Sequence, residues 1–259
     1  MAGSSIQAIA RPSPLLALTD LPRALIELGS LPWAAPLLAR APRGDGHAVL
    51  VLPGFITGDR STGLLRRYLR ALGHDARGWA LGRNLGPRAI GAQGEKLVAR
   101  VRALHEETGR TVSLVGWSLG GVMARQVSRR LPEAVRQIVT LGAPFAGDPL
   151  ATNVRPLYER LTGQRLDSGA TADQLRESAT PPPVPSTAIF SRSDGLVAWQ
   201  NCIEPPSATT DTIEVRGSHC GLPTNPAVLY AVADRLAQAE GAWAPFDRSG
   251  RAILYPQRG

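Results

Sequence analysis

Apolar residues follow two rhythms along this chain, and their alternation predicts the architecture. Residues 48–52 are an unbroken apolar run, the pattern of a strand buried on both faces. Leu64, Leu65, Tyr68, Leu69 and Leu72 then recur at helical spacing, with Arg66, Arg67 and Arg70 on the opposite side. A short segment at 76–79 reads as a strand, and a Gly-rich loop over 81–94 leads into a helix carrying Leu97, Val98, Val101 and Leu104. Residues 111–115 predict the next strand, 119–130 a helix, 137–141, 187–191 and 212–215 further strands, and 226–239 a closing helix. Strand and helix alternating at short intervals imply an α/β fold, a mostly parallel sheet with helices on both faces.

Two stretches break the rhythm. Residues 1–45 are Pro-rich and read as an irregular N-terminal segment packed on the body, with one helical patch near 21–28. The main domain is expected over 46–259, and within it residues 149–185, which include Pro181-Pro182-Pro183, predict a small cap over the strand ends. The tail from Gly241 reads as irregular.

The candidate chemistry sits where one strand gives way to a helix. Gly116-Trp117-Ser118-Leu119-Gly120 follows the run at 111–115, and its two glycines remove side chains that would collide in a sharp turn displaying the Ser118 hydroxyl. A serine hydroxyl needs a base and a group that orients that base. Of four histidines, His47 begins a buried strand, His74 lies in a link at the opposite edge and His105 is on a helix; His219 follows a late strand among Gly217, Ser218, Cys220 and Gly221. The acid is expected at Asp194, just past the preceding strand in Ser193-Asp194-Gly195, with Asp148 as the alternative.

The order Ser, Asp, His, with these motifs and Thr140-Leu141-Gly142-Ala143-Pro144, resembles the α/β-hydrolases, and among them the small lipase- and esterase-like members, over residues 46 to 240. The resemblance implies a carboxylester hydrolase working through an acyl-enzyme, with the backbone amides of Leu119 and of Phe55 or Ile56 as the oxyanion hole. Pro53-Gly54 stands where many relatives have His-Gly, which leaves that second donor open. Trp117, Leu196 and Val197 are expected beside the substrate, where they would favour an apolar group; ordinary packing is the competing reading of each. An acyltransferase with the same triad, or a non-catalytic binding protein on this fold, are the rival functions.

Composition narrows the partners. The 259 residues are 43% hydrophobic and carry a net charge of +8. Lys96 is the only lysine among 29 basic residues, and the arginines are scattered over several helices without interleaved aromatics, so no nucleic-acid partner is expected. No run approaches the roughly 18 apolar residues of a membrane span, and the first residues lack a signal-peptide layout, which predicts a cytoplasmic protein. No cofactor or metal is expected, since neither a phosphate loop followed by Lys nor clustered His ligands can be seen. Cys202 and Cys220 read as reduced, partly buried thiols, a disulfide between the two loops being the alternative.

Overall fold

The computed structural model describes residues 9–169 and 177–256. Its six strands are β1 Ala48–Leu52, β2 Asp75–Gly78, β3 Val112–Trp117, β4 Val135–Leu141, β5 Ser186–Phe190 and β6 Thr210–Glu214. They form one sheet in the order β2-β1-β3-β4-β5-β6, and every pairing is parallel. The order turns back between β1 and β3. Loops leaving these two strands therefore diverge, and a crevice opens at their carboxyl ends.

The helices are α1 Pro14–Gly29, α2 Leu31–Leu38, α3 Gly63–Ala71, α4 Pro87–Ile90, α5 Glu95–Thr108, α6 Leu119–Arg130, α7 Arg155–Thr162 and α8 Pro226–Leu236. Side-chain alternation along each strand divides the core between the two faces of the sheet. Val49, Val51, Val115 and Val139 pack with Leu65 and Leu69 of α3 and Val228 and Val232 of α8. Leu50, Leu52, Leu114 and Ile138 face the other way, onto Leu97, Val101 and Leu104 of α5 and Met123 and Val127 of α6. Each fully buried aliphatic side chain contributes about 1.5–3 kcal/mol, so these two layers dominate the stability of the fold.

The N-terminal segment departs from the irregular chain its prolines predict, because it is helical over α1 and α2. Pro14 occupies the first helical turn, where a missing N–H costs nothing, and the Ser13 hydroxyl caps the Leu16 N–H at 3.3 Å. Pro22 lies inside α1, where a proline ordinarily costs about 3 kcal/mol. The contacts that offset it come from distant loops described below. The C-terminal tail is irregular as expected yet anchored: Tyr255 is buried edge-to-face on Phe246 and its O–H donates to the Ala227 carbonyl at 2.8 Å.

One buried ion pair fixes the chain that leads into β5. Arg125 of α6 pairs with Glu204, donates from Nε to Ser178 O at 2.7 Å and from Nη2 to Thr180 O at 2.8 Å, and lies over the Phe145 ring. Breaking such a pair leaves a bare charge in the interior, at about 3–5 kcal/mol. The residues entering β5 are thereby locked onto α6.

Candidate active site

Ser118 sits between β3 and α6 with φ 53° and ψ −124°, a conformation that L side chains rarely adopt and that costs about 1–3 kcal/mol. Its surroundings enforce the strain. A Cβ on Gly120 would lie 2.6 Å from the Leu52 carbonyl oxygen, and one on Gly116 2.4 Å from the Gly121 Cα, so both positions accept only glycine without backbone movement. The Ser118 N–H donates to Leu141 O at 2.8 Å, which ties the turn to the end of β4.

His219 lies beyond β6, buried, with Nδ1 2.6 Å from Asp194 Oδ2. The other Asp194 oxygen accepts the Leu196 and Val197 N–H groups at 2.8 Å each, so the carboxylate is fixed at both oxygens. Burial lowers the His219 pKa, but the charge and hydrogen bond of Asp194, with the charge of Asp20, outweigh it and raise the pKa above its ordinary value. Asp148 is committed elsewhere, accepting from Leu150 N at 2.8 Å within its own loop. Trp117 joins the strand end to the histidine: its Nε1 donates to His219 O at 3.1 Å, and the two rings lie 6.0 Å apart.

A cavity of about 370 Å³ opens beside this group, bordered by Ser118, Phe55, Leu119, Met123, Val154 and Val197 among others. Leu119, the first residue of α6, has an N–H that no helical carbonyl can reach. In the β1 exit loop the Ile56 N–H is spent on Asn84 O at 2.8 Å, which singles out Phe55 of the two candidate donors. Buried Asn84 also donates to Pro53 O at 2.8 Å and so holds that loop from both sides. Helix α7 covers the opening, with Tyr158 5.2 Å from Phe55 between ring centroids. Of the three residues expected beside a substrate, Val197 borders the cavity. Trp117 is instead packed into the core, and Leu196 joins the cluster of Phe190, Val197 and Cys202.

Two carboxylates on α1 bind the loops of the candidate site, and sequence reading missed both. Asp20, buried, accepts N–H groups from Gly195 at 3.0 Å, His219 at 2.9 Å and Cys220 at 2.8 Å, joining the loop after β5 to the loop after β6. Burial pushes its carboxyl up, but these three donors outweigh that and hold it below the usual carboxylate range. Glu27, two helical turns on, accepts the Ser218 N–H at 2.6 Å and Asn225 Nδ2 at 2.9 Å. The available signal was their spacing: Asp20 and Glu27 are the only acidic residues in the first 44 and fall on one helical face.

Both cysteines are free. Burial raises the Cys202 pKa well above its ordinary value, and burial and the Asp20 charge push Cys220 up to about 12, so neither offers a thiolate nucleophile near neutral pH. Asp45, His47 and His74 form a separate group at the opposite ends of the strands. Asp45 already pairs with Arg110 at 2.7 Å and Arg136 at 2.9 Å, and His47 is engaged by Asp45 and by Ser113. Among the described residues, no helix is long and apolar enough to cross a membrane.

No family model matches the chain. It is 38% identical over 145 residues to a triacylglycerol lipase of Pseudarthrobacter phenanthrenivorans, across 47% of this chain and 44% of that protein, and so spans less than half the length of that relative. Aspergillus fumigatus lipase B superposes on 79% of this chain, and this chain on 56% of that one, with a TM-score of 0.60 at 19% identity. The mature form of a Bacillus licheniformis lipase superposes on 77% of this chain and is itself 95% covered, with a TM-score of 0.54 at 15% identity. The chain has the α/β-hydrolase fold. Within that fold, its sequence similarity is to triacylglycerol lipases.

Proposed function

We propose that the protein is a serine carboxylester hydrolase in which Ser118, His219 and Asp194 form the triad. The observation that carries this reading is the buried pair of His219 Nδ1 and Asp194 Oδ2 at 2.6 Å, with a strained serine turn bordering a cavity. His219 accepts the Ser118 proton as the hydroxyl oxygen attacks the ester carbonyl, and Asp194 stabilises the imidazolium. The Leu119 and Phe55 amides hold the oxyanion, and His219 returns the proton to the leaving alcohol. Water then repeats the sequence on the acyl-enzyme. Val154, Val197 and Met123 give an acyl chain apolar wall to pack on, beside polar lining from Gln126, Arg130 and Glu177.

The test is hydrolysis of p-nitrophenyl esters of graded chain length, with active sites counted by a serine-directed phosphonate. One phosphonate per chain at Ser118 with matching loss of turnover is the expected result. Turnover that survives full labelling would overturn the reading, and product formed mainly by transfer to a dilute added alcohol would favour an acyltransferase.

Asp20 acts in this scheme as a positioning residue, through the loops it joins. Asp20→Asn keeps the shape but removes the charge and one acceptor from a trio of buried N–H groups, a stability loss of about 1–3 kcal/mol. A displacement of the base loop of the order of 1 Å predicts a kcat lowered up to about 100-fold with KM little changed. The Asp20 charge raises the His219 pKa, so the midpoint of the pH–rate curve should also move to lower pH. A variant with lower melting temperature but unaltered kcat and pH midpoint would reduce Asp20 to a structural role.

A further inference from the structure

Helix α1 is amphipathic in the reverse sense. A surface helix ordinarily turns its apolar stripe to the core and its charges to water. Here Asp20, Arg23 and Glu27 face inward onto the catalytic loops, while the outward face is Leu15, Leu18, Leu21, Leu25 and Ile26, each between 63% and 79% exposed. Trp33 of α2, the helix that follows directly, is 82% exposed. Singly exposed leucines need no explanation, but a contiguous face of this kind on a protein surface marks a docking site.

We propose that the outward face of α1 together with Trp33 docks onto an anionic lipid surface, with the leucines entering the acyl boundary. Charge selects this occupant. In residues 9–44 the only carboxylates, Asp20 and Glu27, are turned inward and hydrogen-bonded, so the exposed charges of the segment are Arg11, Arg40 and Arg43. The chain as a whole carries +8. Exposed leucines and a tryptophan on a segment whose exposed charges are all basic form the pattern of a helix that lies in the headgroup plane, held by apolar insertion and by attraction to anionic lipid. The same segment is tied to the rim of the cavity: Arg11 donates to Leu150 O at 3.0 Å and Asn153 to Pro12 O at 3.1 Å, next to cavity residues Pro149, Thr152 and Val154. Docking through α1 would bring that rim to the lipid.

The experiment is sedimentation of the whole chain with phosphatidylcholine vesicles, with and without phosphatidylserine, for wild type, Ser118→Ala and the double variant Leu18→Asp, Leu25→Asp. Wild type and Ser118→Ala should pellet equally with the phosphatidylserine vesicles, lose binding in high salt and bind the neutral vesicles weakly. The double variant should bind about tenfold or more weakly, since it removes two inserting groups and places charge at the interface. Its circular-dichroism spectrum and melting temperature should match those of wild type, which shows that it is folded. Ester hydrolysis plays no part in this readout, so the docking proposal and the triad stand or fall separately. Failure of wild type to bind, equal binding of the double variant, or equal binding to neutral vesicles would each overturn the proposal. A wild-type dimer that the double variant splits, without vesicle binding, would assign the face to a second copy of the chain.

Discussion

Ser118→Ala is expected to lower kcat for ester hydrolysis by about 10⁶-fold, leaving a residue of about 10³-fold over water from the oxyanion amides and substrate positioning. The substitution removes one oxygen and nothing else that the fold uses. Ser118 holds its place through its backbone N–H to Leu141 O and through the glycines at 116 and 120, none of which involve the hydroxyl. Alanine meets the same positive φ with a Cβ of the same size, so the melting temperature should be nearly unchanged. KM should change little, because the cavity walls Phe55, Val154 and Val197 remain. Single-turnover kinetics with a p-nitrophenyl ester separate these quantities. A variant that retains more than about a hundredth of the wild-type kcat would remove Ser118 as nucleophile, since no positioned group that merely assists is worth less than that.

The candidate site was legible where it is marked by residue type at a strand end, and illegible where it is held by backbone groups. Ser118 and Asp194 follow strands buried along their whole length, whose mostly apolar runs can be read directly, whereas β6 before His219 is only part-buried and mixes Thr and acidic residues with its apolar positions. The edge strand β2 leaves a weaker trace, because Ala76 is its only fully covered residue. Asp20 and Glu27 escaped because the groups that fix them, four main-chain N–H groups and the Asn225 amide, lie 175 to 200 residues away in the chain, and the main-chain donors impose no residue type on their own positions. The prolines of α1 and α2 pointed away from helix for a sound local reason. Tertiary contacts overrode it: hydrogen bonds from Gly195, Ser218, His219 and Cys220 act together on one helical face and offset the cost of Pro22. Trp117 shows the converse error. Its place beside the nucleophile suggested a substrate contact, but strand alternation sends position 117 to the face opposite the cavity, against Gly54 and the His219 loop.

Asp194→Asn should lower kcat by about 10⁴-fold near neutral pH, with the fold retained. The asparagine oxygen can keep the Leu196 and Val197 N–H groups that Asp194 Oδ1 now accepts, so the loop should hold its shape. The amide then presents N–H toward His219 Nδ1, where a carboxylate oxygen stood. That nitrogen must become an acceptor, the ring proton moves to Nε2, and the nitrogen left to face the serine can no longer take a proton. The pH dependence gives an independent check. Only the neutral ring acts as base, so the rate rises with pH through the His219 pKa, and with burial outweighed by the Asp194 interaction that midpoint lies above the ordinary histidine value. Without the carboxylate, burial prevails, and the residual activity of the variant should persist to lower pH than that of wild type. Asp148→Asn is the matched control, since Asp148 is spent on Leu150 N in its own loop and should leave kcat and the midpoint close to wild type. The reverse outcome, a large loss at Asp148 and a small one at Asp194, would move the acid to the loop after β4 and leave the 2.6 Å contact without a catalytic part.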